Sequence, residues 1–128
     1  MPRSQPARRA VRDVRAARAV QLDADASALL ARVQEVVCEP NRAQVVRALG
    51  ATPLSVSELA DVIGRSTSAT SRHVRILREL EIVAARRRGR RIYLSLASSP
   101  AAQIALSTLD QVASAAQRPQ SAPPPTDR

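Results

Sequence analysis

The stretch from Ser55 to Ser66 constrains this fold more than any other, because it opens a helix, closes it and opens the next. Ser55-Val56-Ser57-Glu58 is a capping box, in which the serine hydroxyl and the glutamate carboxylate satisfy each other's free amides. The short helix it starts buries Val56, Leu59, Ala60 and Ile63 and ends at Gly64. Ser66 then caps a second helix that runs to about Leu80, with Thr70, Val74, Leu77 and Leu80 on its inner face. Two helices joined by a three-residue turn containing glycine form a helix-turn-helix unit.

Immediately afterwards the apolar period changes from 3.6 to 2. Residues 82–87 and 91–96 read as strands flanking Arg88-Gly89-Arg90, a hairpin with glycine at its tight position. Upstream, Asp23 or Asp25 caps a helix whose stripe is Leu29, Leu30, Val33, Val36 and Val37. Pro40 opens the next helix, which carries Val45, Val46 and Leu49 and stops at Gly50. Pro100 opens a last helix through Ile104, Leu106, Leu109 and Val112 to about Gln117. The predicted fold class is therefore mainly α: a winged helix-turn-helix in the order α-α-α-α-β-β-α, with a brief extra strand near residues 53–55. The expected organisation is a flexible basic arm over 1–22, the folded domain over 23–117 and a disordered, Pro-rich tail over 118–128. In the arm, Arg8, Arg12 and Arg15 would share one face of a helix formed on contact. With neither Phe nor Trp and only Tyr93 as an aromatic, the core must be built from Leu, Val, Ile and Ala. So small an aliphatic core favours burying a further face against a second copy.

Charge is placed unevenly. All 20 basic residues are arginine, and the net charge is +9. Residues 64–96 hold nine arginines against two glutamates, while residues 23–63 are net acidic with three arginines and six carboxylates. Such a concentration is the footprint of a polyanion site. Positions 64–78 contain no acid, whereas the polar face of an ordinary solvated helix mixes both signs. Small hydroxyl residues Ser66, Thr67, Ser68 and Ser71 would let that helix approach the floor of the major groove, and Arg72 and Arg75 are long enough to reach base edges or phosphates. Five arginines in six positions, Arg86, Arg87, Arg88, Arg90 and Arg91, would repel one another unless they met phosphate or the minor groove. Blunting a strand edge would need only one or two. No apolar run approaches the length needed to span a bilayer and no secretory segment follows Met1, so the expected location is the cytoplasm. There is no nucleophile–base pair and no phosphate-cradling glycine loop, so an enzyme is not expected.

These residues carry a resemblance. Leu59-Ala60, Gly64, Ser66, Ser68, Ser71-Arg72-His73-Val74, Ile76-Leu77, Ile82-Val83, Arg88-Gly89-Arg90 and Tyr93-Leu94 resemble the arsenic-repressor (ArsR/SmtB) family of winged-helix repressors. Glu39-Pro40-Asn41-Arg42, followed by Val45-Val46 and Leu49, is similar to that family's second helix. The resemblance covers roughly residues 25–115. It implies a homodimer formed through the first and last helices, recognition helices in successive major grooves of a near-palindromic operator, and an inducer that releases the DNA. It also places His73 in the recognition helix, where it contacts DNA or packs beside the helix.

The chain departs from the family's metal sites. The stretch matching the thiolate motif, Leu54 to Leu59, has no cysteine, and the last helix offers Asp110 and no histidine. A zinc or arsenic site needs three or four good ligands, so neither a metal nor another cofactor is expected. Cys38, just before Pro40, has two readings: a small buried hydrophobe, or a thiol sensor able to join subunits. The function expected is a sequence-specific, double-stranded-DNA-binding repressor. The alternatives are a nucleoid-type protein of low specificity, a thiol-redox-responsive repressor acting through Cys38, and a module that contacts an acidic protein.

Overall fold

The structure, a computed structural model, describes residues 13–119. A short helix α1 (Val14–Ala19) precedes α2 (Ala24–Val37), α3 (Pro40–Ala51), α4 (Val56–Ile63) and α5 (Thr67–Glu79). The wing follows as β1 (Val83–Arg88) and β2 (Arg91–Leu96), and α6 (Pro100–Gln117) closes the described chain. Arg8, Arg12 and the tail from residue 120 lie outside the described residues. Within the basic arm, α1 is exposed along its whole length.

The caps named from the sequence, Asp23, Ser55 and Ser66, are made, and Glu39 adds one that was not named. The Asp23 carboxylate accepts from Ala26 N at 2.8 Å, Glu39 from Arg42 N at 2.9 Å, and Ser66 Oγ from Ala69 N at 3.0 Å. At α4 both halves of the capping box are made, and Gly64 ends the helix with a left-handed φ of 71°. Two boundaries differ from the sequence reading. Gly50 does not stop α3, which runs on to Ala51; a Cβ on Gly50 would lie 2.7 Å from Leu106 Cδ1. Its glycine therefore admits α6 rather than ending α3. The hairpin loop has two residues, not three, because Arg88 pairs with Arg91. Gly89, at φ 62°, takes the first turn position, the place glycine holds in a type II′ turn.

The core is aliphatic throughout. Val33 and Val36 of α2, Val45, Val46 and Leu49 of α3, and Leu59 of α4 meet Val74 and Leu77 of α5. Ile82, Val83 and Leu94 seal the wing against them. The extra strand near residues 53–55 is a single bridge: Leu54 N donates to Leu94 O at 3.1 Å, and Leu94 N donates to Leu54 O at 2.7 Å.

The last helix departs from the predicted stripe. Its buried face is Ala101, Ala102 and Ala105, while Ile104 and Val112 are 42% and 60% exposed. Small side chains let α6 lie close against α2, and the larger ones are left on the outside. Leu22, just before α2, and Leu30 within it are exposed as well.

Candidate nucleic-acid interface

Helix α5 divides cleanly. Thr70, Val74 and Leu77 are buried, whereas Thr67, Ser68, Ser71, Arg72, Arg75 and Arg78 are exposed. Ser66 has a structural duty, since its hydroxyl caps the helix. His73 sits on the flank of α5, half-buried, with Nδ1 3.3 Å from Arg42 Nη1. Arg42 is itself held by the Glu35 carbonyl at 2.6 Å and the Glu35 carboxylate at 3.1 Å. His73 thus packs between α5 and Arg42 of α3.

Strand register sorts the wing's arginines. Val83, Ala85 and Arg87 pair with Leu96, Leu94 and Ile92 and lie on the core face. Arg86, Arg88 and Arg91 share the outer face with Tyr93 and Ser95. There Pro53, Arg86, Arg88, Tyr93 and Ser95 line a cavity of about 510 Å³. Arg90 occupies the turn. On the core side, a groove of about 560 Å³ has Ser71, Arg75, Arg78 and Glu79 of α5 on one wall and Ala85 and Ile92 of the wing on the other. The exposed face of α5 and the wing therefore open toward one another.

Electrostatics distinguish these arginines from the rest. Among the described residues, the ion pairs are Arg32–Glu81, Arg42–Glu35 and Arg47–Asp110. None of Arg72, Arg75, Arg86, Arg87, Arg88, Arg90 or Arg91 has a carboxylate partner there. Hydrogen bonds from the Ser55 amide and hydroxyl hold the Glu58 carboxyl below its ordinary value, and Arg91 pushes the same way. The Arg42 amide does likewise for Glu39. Both carboxylates are occupied at helix starts.

One residue at the turn between α4 and α5 escaped the sequence reading. Arg65 is exposed there, with Nε donating to Asn41 Oδ1 at 3.0 Å; it lay in a segment read only as a turn. Arg78, which helical spacing already sets on the outer face of α5, adds a third guanidinium there. Cys38 is exposed at the end of α2, not buried as a small hydrophobe, because the chain leaves the helix there on its way to Pro40.

No three His, Cys, Asp or Glu side chains gather among the described residues. Asp110 of α6 is engaged by Arg47 Nε at 3.4 Å.

A helix-turn-helix domain model matches residues 38–86. The HTH-type transcriptional regulator NmtR of Mycobacterium tuberculosis is 37% identical over 83 residues, 65% of this chain and 69% of that protein. A transcriptional repressor SmtB homolog of Synechocystis is 36% identical over 75 residues, 59% of this chain and 57% of its own length. Among solved structures, a similar one is the homodimeric winged helix-turn-helix DNA-binding domain of Mb0332 from Mycobacterium bovis, a possible ArsR-family transcriptional regulator. It superposes with a TM-score of 0.58 at 25% identity, covering 77% of this chain and 89% of that one.

Proposed function

Because this chain belongs to the ArsR/SmtB family of winged helix-turn-helix, DNA-binding transcriptional regulators, we propose that it is a sequence-specific repressor that grips a near-palindromic operator as a homodimer. The observation that carries this reading is the hydroxyl- and arginine-bearing face of α5, without an acid from 64 to 78, opening onto the same groove as the wing, with the arginines of both left without carboxylate partners among the described residues and Glu79 reaching the groove only at the end of the helix. Buried or paired cations would be structural; these are available to phosphate.

In this reading Thr67, Ser68 and Ser71 bring the backbone of α5 close to the bases, and Arg72 and Arg75 read base edges. The wing's arginines and the N-terminus of α5, capped by Ser66, hold the flanking backbone. His73 steadies the helix from its flank. The homodimer is supported by the apolar side chains left outside on α2 and α6, Leu30, Ile104 and Val112, and by the homodimeric state of the Mb0332 domain. A C2 pair places two recognition helices for two half-sites about one helical turn apart. Metal takes no part in the proposal. No helix among the described residues is long and apolar enough to cross a membrane, which suits a regulator working on chromosomal DNA in the cytoplasm.

The test is competition binding at physiological salt between a duplex selected by the protein from a random library and the random pool itself. A repressor of this kind prefers the selected duplex by about a thousandfold or more. Equal affinity for both would replace the reading with a nucleoid-type protein. No affinity for either at low salt would replace it with a module for an acidic protein.

A further inference from the structure

We propose that Arg32 and Ser99 are positioning residues that fasten the exit of the recognition helix to the two helices of the subunit contact. The inference rests on the proposed reading of α5 and of the dimer. Helix α5 ends at Glu79 with Leu80 as its C-cap, and Glu81 follows in the left-handed region at φ 60°, the only non-glycine residue with positive φ among those described. Such backbone persists where its surroundings hold it.

The holding groups come from elsewhere in the chain. Arg32, on α2, donates from Nε to the Leu80 carbonyl at 3.1 Å, and its Nη2 donates to the same oxygen. Its Nη2 also lies 3.7 Å from the Glu81 carboxylate. From the other side, Ser99 Oγ donates to the Glu81 carbonyl at 2.6 Å while accepting from Ala102 N at 3.2 Å as the cap of α6. Two successive carbonyls at the exit of α5 are thus gripped by side chains of α2 and of the start of α6. The guanidinium also sets a positive charge at a helix C-terminus, where the helix dipole favours it. A third link runs from His73 through Arg42 to Glu35 on α2. Every one of these ties leads back to the subunit contact, so a change in how two copies meet would carry the ends of the reading helices with it. The separation of those helices decides whether both enter the major groove together.

The consequence is separable from charge. Without Arg32 the wing still attracts any duplex, but α5 is less firmly aimed, so the loss falls on discrimination. The test uses full-length wild type, Arg32→Ala, Arg32→Lys and Ser99→Ala, with the selected duplex and the random pool as probes. Arg32→Ala is expected to reduce the ratio of the two affinities about tenfold, with the random-pool affinity within about twofold of wild type. Arg32→Lys, which keeps the charge and can donate one bond to Leu80, should recover most of the ratio. Ser99→Ala should reduce it as well. Hydrogen exchange serves as a second readout: amides 78–82 should exchange faster in Arg32→Ala while those of α3 are unchanged. Equal proportional losses on both probes would make Arg32 merely a stability residue and overturn the proposal, as would unchanged exchange at 78–82. If wild type itself enriches no sequence, the repressor reading falls; the exchange result then still decides whether the clamp exists.

Discussion

Alternation along the wing separates its arginines, and Arg87→Ala tests the separation. Arg87 pairs with Ile92 and shares the face of Ala85 and Leu94 that looks toward α5, whereas Arg86 and Arg88 lie with Tyr93 on the opposite face. Arg87 is exposed and has no carboxylate partner among the described residues, so its removal costs no internal ion pair. A dimer carries two such guanidiniums. If each neutralises one phosphate, losing both lowers the steepness of log K against log salt by about 1.8, from a wild-type slope near −7 for about eight phosphates. At about 0.15 M salt each contact is worth about 0.7 decades, so the variant binds any duplex about thirtyfold more weakly, or about 2 kcal/mol. Fluorescence anisotropy titrations at several salt concentrations, on selected and random duplexes, measure both quantities. The expected result is the same fold-loss on both duplexes and a shallower slope, with Arg86→Ala losing clearly less. Equal losses from Arg86→Ala and Arg87→Ala would refute the assignment of faces, and an unchanged slope would refute the phosphate contact.

Thr70 is fully buried on α5, and its hydroxyl finds no partner among the described residues. Thr70→Val keeps shape and β-branching while removing that orphan, so it should stabilise by about 1 kcal/mol, seen as a rise of about 4–8 °C in Tm at fixed protein concentration; a fall in Tm would mean that the hydroxyl is bonded after all. Glu39 and Glu58 both have carboxyl groups held below the ordinary 4.5, so their contribution is complete above that value and is lost as pH falls through the folded-state values. Denaturant titrations should show wild type losing its margin over Glu39→Gln/Glu58→Gln as pH drops below about 4.5; a constant margin from pH 6 to pH 3 would sink the assignment. Ile104 is 42% exposed on α6, so Ile104→Asp should leave the monomer folded by circular dichroism while weakening dimerisation at least about a hundredfold in sedimentation. A variant that remains dimeric would move the subunit contact elsewhere. Arg72→Ala and Arg75→Ala should relax discrimination between bases by about 1–3 kcal/mol rather than weaken all binding alike, which a comparison of point-mutated selected duplexes reads directly.

Local chemistry made most of this fold legible. Caps and turn glycines are decided within four residues, which is why Asp23, Ser55 and Ser66 open helices where their side chains say they should, while Glu39 and Ser99 cap the two helices whose starts the sequence marked only by Pro40 and Pro100. The exposed hydroxyl-and-arginine face of α5 followed from helical spacing alone. What pattern could not supply was the partner across each face. Ile104, Leu106, Leu109 and Val112 make a good stripe, yet Ala101, Ala102 and Ala105 are the residues buried within one chain. A stripe announces burial without naming the surface that does it, and here small residues win the close approach to α2. Gly50 misled for the same reason: its missing Cβ answers to Leu106, 56 positions away in sequence, and not to the end of its own helix.

Arginine gives the sharper lesson, because the same side chain does opposite work in two halves of the domain. The three arginines of the acidic stretch over 23–63 are all spent on carboxylates, Arg32 on Glu81, Arg42 on Glu35 and Arg47 on Asp110. They stitch helices together. Of the nine over 64–96, none forms an ion pair among the described residues, although Glu79 and Glu81 lie within the same stretch. Surface ion pairs are worth little individually, so the contrast is not one of stability. It is one of availability: a guanidinium already facing a carboxylate has less to offer a phosphate. Net charge by segment hinted at the division, and the pairing separates the three arginines spent on the scaffold from those left for the proposed nucleic-acid contact. By that criterion Arg32 belongs to the scaffold while acting on the reading helix, which is why its loss should blunt discrimination and leave attraction intact.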